Sequence, residues 1–295
     1  MKYQFIDTHR STFGVEKMCH VLDVSRSGFY RWHPDPESKR ALENHHLLDH
    51  IQKIYATSKG RYGSPRITAE LQDQGHACSR PRVARLMRKN GIKAQGTRRF
   101  KVTTNAKHKY PVAPNLLKQG IQANAPNVVW VSDITYIRTM EGWLYLTVVL
   151  DLYTRKVIGW AMSEGMSAGE TTLPAFQMAL QNSPPLPGLI FHSDQGVQYA
   201  CDPFVTRLHR SQAIQSMSSR GNCYDNAVVE SFFHTLKTEL VYRERYMTRE
   251  EARCSLFAYM EGFYNRSRKH STLGYKSPVE YENLSGQDMN FNQAI

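Results

Sequence analysis

Two periodic patterns of hydrophobic residues divide the chain into two parts. From residue 15 to residue 93, apolar side chains recur at intervals of three or four positions, which is the spacing of a buried helix face. From about Asn127 onward, short runs rich in valine, isoleucine, tyrosine and tryptophan follow one another at the spacing of β-hairpins. The pattern predicts an all-helical N-terminal region followed by an α/β domain of about 150 residues.

The first predicted pair of helices occupies residues 15–33. The apolar face of its first helix is predicted to contain Val15, Met18, Val21 and Leu22. Ser25 is a suitable N-cap for the second helix, and Pro34 ends that helix because proline interrupts helical hydrogen bonding. A longer helix is predicted from about residue 38 to residue 55. Its buried face is predicted to contain Leu42, Leu47 or Leu48, Ile51 and Ile54.

The second predicted pair follows the loop KGRYGSP and covers roughly residues 66–74 and 79–90. In its second helix, Val83 and Leu86 form an apolar stripe beside a cationic one, as in a helix that packs on a core and faces DNA phosphates. The cationic stripe consists of Arg82, Arg85 and Lys89. Arg26, in the first pair, is a further candidate for DNA contact. A solvated basic face is the alternative explanation of such a stripe.

The distribution of charge favours nucleic acid as the partner of this region. The chain carries a net charge of +12, from 38 Lys and Arg against 26 Asp and Glu. Residues 1–110 hold 22 of the basic and 9 of the acidic residues, a net charge of +13, whereas residues 111–295 hold 16 and 17, a net charge of −1. Because basic surfaces that neutralise phosphates release condensed counterions, a segment of this kind is typical of DNA-binding proteins.

The α/β domain is predicted to begin with three antiparallel strands. The runs NVVWVSDITYIRT, WLYLTVVLDLYTR and KVIGWAMSE are joined by predicted turns at Glu141-Gly142 and Arg155-Lys156. The further predicted elements are helices near 168–182, 203–210, 225–242 and 248–265, and strands near 189–191 and 214–216. Pro174 must lie in the first turns of the first of these helices or kink it. This order predicts a mixed sheet covered by helices.

Three carboxylates stand out in this domain, although each taken singly has an ordinary explanation as a turn former or a solvated residue. Asp133 interrupts an apolar strand, where an ionised carboxylate is costly without a partner or a cation. Asp194 follows the strand at 189–191, and Gly196 lets the chain turn there. Glu230 borders the buried stripe of its helix. That stripe is predicted to contain Val229, Phe232 or Phe233, Leu236 and Leu240. Thirty-five residues separate Asp194 from Glu230, which is the D,D-35-E spacing.

This spacing and several motifs resemble the DDE transposases and retroviral integrases, which have an RNase H-like fold. More closely, the chain resembles the second-frame (orfB-type) transposase of the IS-three family of bacterial insertion sequences. The matching stretches, between residues 15 and 282, are VSRSGFYRW, RYGSPRI, RVARLMRKNGI, WVSDITYI, LDLYTRKVIGW, HSDQGVQY, DNAVVESFFHTLKTEL and YNRSRKHSTLGYKSPVEYE. The last three are highly specific in combination.

The resemblance implies a DNA transposase that binds the terminal inverted repeats of its element, cleaves DNA to expose a 3′-OH and joins that end to target DNA. It implies that Asp133, Asp194 and Glu230 hold two Mg²⁺ ions, for which Mn²⁺ is a possible substitute, because two metal ions stabilise in-line displacement at phosphorus. It also implies a homo-oligomer on DNA and fusion to, or association with, the product of the first reading frame.

The roles of several supporting residues follow from the resemblance or stay open. Lys237 matches the basic residue that contacts element-end DNA in similar enzymes. Arg268 belongs to a C-terminal motif of the family, which we expect to brace the site or to bind DNA. Asp151 is either a fourth acidic candidate or a structural residue that pairs with Arg155. His192 either contacts the scissile phosphate or packs beside its strand.

Other functions fit the sequence less well. A retroviral-type integrase would have an N-terminal His/Cys zinc module, which the five scattered cysteines do not supply. A tyrosine recombinase needs an H-x-x-R arrangement, and none of the twelve histidines has an arginine three positions later. The G-x-x-x-x-G-K-[ST] motif of ATP-driven enzymes is absent from the sequence. A DNA-binding regulator with a decayed catalytic domain is the non-enzymatic alternative.

The remaining features concern location and domain bounds. No stretch approaches the ~20 apolar residues of a membrane span, the first residues lack the apolar core of a signal peptide, and there is no C-x-x-C pair. These features favour a reducing cytosol, and the resemblance implies the bacterial cytoplasm, at the nucleoid. The predicted domains are a helix-turn-helix region at 1–60, a second helical DNA-binding segment at 61–93, a basic linker at 94–125, an RNase H-like catalytic core at 126–285 and a tail at 286–295.

Overall fold

The structure, a computed structural model, describes residues 1–33, 39–94, 110–117, 123–219 and 227–292, with side chains as far as residue 285. The chain divides into two compact units, Met1–Ala94 and Gln95–Ile295. Most of the predicted linker, the helix stop at Pro34 and the side chains of the predicted tail lie outside the described residues.

The described part of the first unit is helical throughout. Its helices are α1 (Lys2–His9), α2 (Val15–Val21), α3 (Arg26–Trp32), α4 (Lys39–Thr57), α5 (Ser64–Asp73) and α6 (Arg80–Lys89). The Ser25 hydroxyl accepts a hydrogen bond from the Gly28 amide at 2.9 Å, which confirms the predicted cap of α3. The sequence pattern does not predict α1. The helix has Ile6 as its buried residue, and its apolar residues do not recur at helical spacing.

The buried faces of these helices follow the prediction except near helix ends. The buried residues of α2, α3 and α4 include Met18, Cys19, Phe29, Leu47, Ile51 and Ile54. The prediction is wrong for Val21, which is 80% exposed, and for Leu42, which is 47% exposed. In α6, Met87 rather than the predicted Leu86 is buried beside Val83. Val21 is the last residue of α2 and Leu42 lies in the first turn of α4, so both side chains project beyond the packed part of their helix.

The second unit contains a five-stranded mixed sheet with helices on both faces. The strands are β1 (Val129–Thr139), β2 (Gly142–Asp151), β3 (Val157–Ser163), β4 (Ile190–Ser193) and β5 (Ile214–Met217). The helices are α7 (Thr172–Asn182), α8 (Val197–Ala200), α9 (Asp202–Arg210), α10 (Ala227–Glu239), α11 (Arg249–Phe257) and α12 (Pro278–Asn292). The predicted fold class, an all-α region followed by a mixed sheet flanked by helices, is confirmed.

The strand order is β3-β2-β1-β4-β5. The first three strands form an antiparallel meander, because two short turns connect them. β4 and β5 run parallel to β1 and are reached through helices. The sheet therefore changes from antiparallel to parallel pairing at β1, its central strand.

Hydrophobic layers cover both faces of this sheet. On one face, α10 and α11 pack against β1 and β2, and α10 buries Val229, Phe232, Phe233 and Leu236, as predicted. The predicted Leu240 is also buried and directly follows the helix. On the other face, the helices α7, α8 and α9 enclose an aromatic core of Trp130, Phe176, Phe191, Tyr199 and Phe204. The two layers fix β1 and β4 from both sides, so residues at their ends are held in place.

Several boundaries differ from the prediction. The first turn is Met140-Glu141, and Gly142, with a φ of +120°, already begins β2. Pro174 lies in the first turn of α7, which was one of the two alternatives. The helix α11 continues as a π-helical segment, Ala258–Tyr264. The one-turn helix α8 and the C-terminal α12 are not predicted, and the predicted start of α10 at residue 225 lies outside the described residues.

Candidate active site

Neighbouring parallel strands bring the first two predicted carboxylates together. β1 and β4 pair with Ser132 opposite Ser193. The next residue along each strand is an aspartate, so Asp133 and Asp194 lie side by side where β4 ends. The electrostatics agrees with this position, because the charge of Asp194 raises the pKa of Asp133. The carboxylate pair is a direct consequence of strand register.

A tight turn holds Asp194. Its Oδ1 accepts a hydrogen bond from the Gly196 amide at 2.9 Å. Gly196 has a φ of −66°, which any residue adopts. A Cβ at this position would lie 2.8 Å from the Asp194 Oδ1, so glycine lets the carboxylate keep its position. The Gln195 side chain donates to the Ser218 carbonyl at 2.9 Å and ties the turn to the end of β5.

Asp133 is half-buried and carries an unusually basic carboxyl group. Its pKa is raised to about 8, first by burial and then by the negative charges of Asp194 and Glu230. A hydrogen bond from the Ile134 amide to Oδ1, at 2.7 Å, and the charge of Lys237 oppose this shift. The three carboxylates therefore act on one another within a single electrostatic cluster.

Glu230 reaches this cluster from α10. It lies in the first turn of the helix, next to the buried Val229, and α10 packs against the face of β1 that carries Asp133. The Glu230 side chain is exposed, yet partial loss of hydration raises the pKa of its carboxyl group. The third predicted residue thus approaches the aspartate pair from the solvent side.

Lys237 lies two turns beyond Glu230 and faces the same cluster. Its Nζ is 5.1 Å from the centroid of the Tyr136 ring, within the range of a cation–π contact. Burial lowers the pKa of Lys237, and the nearby charge of Asp133 opposes that shift. A cation is therefore held between the carboxylates and an aromatic ring.

The donor atoms of this cluster suit a divalent cation of the Mg²⁺ type. Carboxylate oxygens are the hard ligands that Mg²⁺ prefers. A bound cation would relieve the repulsion that raises the pKa of Asp133. Among the described residues, no three acidic, histidine or cysteine side chains stand close enough to hold an ion as they are. For all three carboxylates to share an ion, the exposed Glu230 would have to approach the aspartate pair.

The sequence analysis missed a buried tyrosine beneath the aspartates. The Tyr199 hydroxyl and the Ser132 Oγ are 2.8 Å apart and hydrogen-bonded. Burial, followed by the charges of Asp133 and Asp194, raises the pKa of Tyr199 above its ordinary value. The signal was present in the motif HSDQGVQY, which this tyrosine ends.

Asp151 has a structural role. The Oδ1 of this buried residue accepts hydrogen bonds from the Thr154 amide at 2.7 Å and the Thr154 hydroxyl at 2.8 Å. The Oδ2 accepts one from the Asn127 amide at 2.7 Å. The predicted partner Arg155 feels the charge of Asp151, but these hydrogen bonds come from Thr154 and Asn127. Asp151 therefore braces the β2–β3 connection.

His192 packs within the sheet, which is the second of its two predicted roles. The side chain is 0% exposed. Its Nδ1 lies 2.8 Å from the Ser216 Oγ on the neighbouring β5. A ring buried in this way does not reach a phosphate in the cleft.

The position of Arg268 favours the bracing role over the predicted DNA contact. The side chain is 4% exposed, and its guanidinium donates to both carboxylate oxygens of Glu239. In the same C-terminal motif, the Asn265 side chain accepts from the Val157 amide and donates to the Val157 carbonyl, both at 2.9 Å. The motif therefore braces α10 and β3, which was the structural alternative.

The basic residues of the first unit differ in their accessibility. Arg82 is half-buried and pairs with Glu43 at 3.1 Å, so it fastens α6 to α4. Arg26 is exposed and pairs with the exposed Glu16 at 3.3 Å. The exposed members of the predicted stripe on α6 are Arg85 and Lys89. These two residues carry most of the accessible charge of the stripe.

Comparison with known protein families gives matches along most of the chain. A family described as an HTH-like domain matches residues 41–100. Two families described as integrase core domains match residues 123–223 and 212–278. The helical unit and the mixed-sheet unit thus each correspond to a known domain family.

Curated relatives match nearly the full length. Transposase InsF for insertion sequence IS3A, from Escherichia coli (strain K12), is 44% identical over 285 residues, covering 96% of this chain and 99% of the relative. Transposase InsF for insertion sequence IS3fB, from the same strain, is 43% identical with the same coverage. The insertion element IS600 uncharacterized 31 kDa protein of Shigella sonnei is 43% identical over 264 residues, covering 90% and 97%.

Solved structures of similar shape are more distant. The catalytic core domain of BIV integrase is 19% identical, with a TM-score of 0.43, and covers 56% of this chain and 99% of that chain. A chain of the simian T-cell lymphotropic virus intasome in complex with the PP2A regulatory subunit B56 gamma is 16% identical, with a TM-score of 0.47, covering 79% and 74%. In the described part of the chain, no helix is both long and apolar enough for a membrane span.

Proposed function

Because the chain belongs to the transposase family of the IS3 insertion sequences, we propose that it binds the terminal inverted repeats of such an element, cleaves DNA at the element's end to expose a 3′-OH and joins that end to target DNA. The observation that carries this proposal is the register of β1 and β4, which aligns Asp133 with Asp194. The charge of Glu230 acts on Asp133.

The proposed catalytic and metal-binding residues are Asp133, Asp194 and Glu230. Two Mg²⁺ ions bound there, or Mn²⁺ in their place, would activate the attacking oxygen and stabilise the leaving oxygen of an in-line displacement at phosphorus. The carboxylates of the chain supply the hard oxygen ligands, and their mutual repulsion favours an occupied site.

The other residues of the site position the DNA. The Lys237 amino group, next to Asp133, would pair with a backbone phosphate at the element end. The hydrogen bond between Ser132 and Tyr199 holds β1, next to Asp133, on the buried layer beneath the aspartates. Water and then the DNA 3′-OH serve as nucleophiles, so the chemistry needs no covalent protein–DNA intermediate.

The helical unit would recognise the terminal repeats. Arg85 and Lys89 present exposed charges on α6, and Arg26 presents one on α3. Each phosphate that such a residue neutralises releases counterions, so binding should weaken as salt is added. We further propose a homo-oligomer on paired DNA ends, acting with the first-frame product.

A strand-transfer assay tests the proposed function. Labelled element-end DNA would be incubated with the full chain, with and without the first-frame segment fused in front, in Mg²⁺ and in EDTA. We expect metal-dependent cleavage and joining that Glu230→Gln abolishes. Glu250→Gln, in the first turn of α11, is the matched control because Glu250 is also exposed and lies outside the cluster. Tight DNA binding without joining in either form would instead support a DNA-binding regulator.

A further inference from the structure

A pair of exposed aromatic rings lies beside the candidate active site. Tyr136 of β1 and Trp143 of β2 pack edge to face, with ring centroids 5.0 Å apart and an interplanar angle of 81°. They lie on the same face of the hairpin, because Arg138 pairs with Trp143 in the register and Tyr136 lies two residues before Arg138. Tyr136 is 40% exposed and Trp143 is 47% exposed. Contiguous exposed rings of this kind mark interaction sites.

Lys237 connects this pair to the catalytic cluster. Its Nζ is 5.1 Å from the Tyr136 ring centroid, and its charge acts on Asp133. Tyr136 lies three residues beyond Asp133 on the same strand, a distance of about 10 Å. Tyr242, which is 43% exposed, lies near the Tyr136 ring. Burial raises the pKa of the Tyr242 hydroxyl, and Tyr136 raises it further. Asp133 and Tyr136 leave opposite faces of β1, and Lys237 connects them. The rings therefore lie next to the cation that acts on Asp133.

The charges around the rings favour an anionic partner. Lys237 lies over Tyr136, and the exposed Arg138 stands across the hairpin from Trp143. The nearby acidic side chains are engaged by one arginine: Glu141 accepts a hydrogen bond from the Arg249 amide at 2.8 Å, and Glu164 pairs with the Arg249 guanidinium at 3.0 Å. Flat rings combined with cations are the recognition chemistry of an unstacked nucleic-acid base and its phosphate.

We propose that Tyr136 and Trp143 form a stacking platform that receives an unpaired base next to the scissile phosphate at the element end. The inference rests on the proposed function, since it assigns the DNA that the site acts on. Bases inside a duplex are already stacked, so the platform acts by stabilising a base that has left the duplex. The occupant is the element end because Lys237, its proposed phosphate contact, forms one wall of the platform.

Photo-crosslinking tests the platform without turnover. The full chain would be bound to a duplex of the terminal repeat taken from the DNA that flanks the coding sequence. 5-Iodouracil would be placed in turn at each position around the cleavage site and, in a second arm, in target DNA. We expect crosslinks from the base flanking the scissile phosphate to Tyr136 or Trp143, mapped by mass spectrometry. Crosslinks from target DNA alone, or none to either ring, would overturn the proposal.

Kinetics with matched variants separate the platform from general folding effects. Tyr136→Leu should slow cleavage about 10-fold or more on a fully paired end, while Tyr136→Phe keeps the rate, since a base stacks on either ring. The deficit of Tyr136→Leu should shrink on an end with a mismatched terminal pair, because that base is already unpaired. Phe257→Leu, an exposed aromatic that packs on Trp160, is the control and should cleave at the wild-type rate.

The two proposals fail in different ways. A wild-type chain that never cleaves or joins DNA contradicts the proposed function. The crosslinking experiment would still show whether a base stacks on Tyr136 or Trp143, because it needs no turnover. An active wild type whose rate is unaffected by Tyr136→Leu contradicts the platform and leaves the transposase function standing.

Discussion

Arg268 and Glu239 form a buried ion pair, with guanidinium–carboxylate hydrogen bonds of 2.8, 3.0 and 3.2 Å. The two side chains are 4% and 8% exposed. The Tyr259 hydroxyl donates a further hydrogen bond to Glu239 at 2.8 Å. Glu239 is the last residue of α10, the helix whose first turn carries Glu230. The C-terminal motif therefore fixes the far end of the helix that positions a proposed metal ligand.

Loss of one partner of this pair should destabilise the protein strongly. Arg268→Met leaves the buried Glu239 carboxylate without its cation, which costs about 3–5 kcal/mol in other proteins. The double variant Arg268→Met/Glu239→Leu should recover part of that loss, since it buries no charge but leaves the Tyr259 hydroxyl without its acceptor. Urea unfolding of the full chain measures both free energies of unfolding. Equal stability of the single and double variants would contradict the prediction.

The same variants test the bracing role of Arg268 against a role in DNA contact. A buried guanidinium releases no counterions on binding, so Arg268→Met should leave the salt dependence of DNA affinity unchanged. Arg85→Ala, which removes an exposed charge on α6, should reduce the slope by about one unit if it meets a phosphate. Fluorescence anisotropy across a salt series gives both slopes. A reduced slope in Arg268→Met would restore the original DNA-binding assignment.

Asp133 should make the metal-free protein less stable as the pH rises. Its pKa is raised from 3.8 to about 8, so the folded state favours the protonated carboxyl group. The stability that this preference contributes is present below pH 3.8 and is lost as the pH rises through about 8. Asp133→Asn stays neutral, and in EDTA it should exceed wild type by a margin that widens over this range to roughly 2 kcal/mol, after allowance for partial solvent access.

The control for this pH dependence is Asp202→Asn, which changes an exposed aspartate in the first turn of α9. Thermal unfolding at intervals of pH, with chelator present, gives the comparison. If the difference in stability between Asp133→Asn and wild type stayed constant with pH, the carboxylates of the cluster would not repel one another.

Metal binding should depend unequally on the three carboxylates. Asp133 and Asp194 already lie side by side, whereas Glu230 is exposed and has to approach. In wild type, a divalent ion at 100 times its Kd should stabilise the fold by about 2.7 kcal/mol. Asp194→Asn should remove most of this effect, while Glu230→Gln keeps much of it and still abolishes cleavage. Thermal shifts in Mg²⁺ and Mn²⁺ measure the difference, and an equal loss in both variants would contradict it.

The sequence predicts those parts of the structure that local signals encode. The cap of α3 by Ser25 needs residues only three positions apart, and the strands of the meander carry their own apolar runs. The D,D-35-E spacing likewise identifies Asp133, Asp194 and Glu230 before any fold is known, although their assignment as ligands stays a prediction.

Features that depend on distant partners could not be predicted in this way. Arg268 resembles a surface cation in the sequence, and its burial follows from Glu239, which lies 29 residues away. Arg82 has the periodicity of the predicted DNA-facing stripe, but its side chain pairs with Glu43, 39 residues away. The platform residues Tyr136 and Trp143 fit ordinary strand propensity, and their meeting depends on hairpin register.

Gly196→Ala should separate the geometry of the site from the stability of the fold. The backbone at Gly196 accepts alanine, with a φ of −66°, but the new Cβ would lie 2.8 Å from the Asp194 Oδ1. The carboxylate must therefore move, and a displacement of about 1 Å at a reacting centre can cost on the order of 100-fold in rate. We expect cleavage to fall 10- to 100-fold, by this rough estimate, with little change in unfolding free energy.

The matched control for this substitution is Gly262→Ala, in the π-helical segment, where a Cβ would meet nothing within 4 Å. It should cleave at the wild-type rate. Parallel measurement of cleavage rate and urea unfolding distinguishes displacement of Asp194 from general damage. Full activity in Gly196→Ala would show that Asp194 does not need its observed position, and the proposed ligand set would then lose its geometric basis.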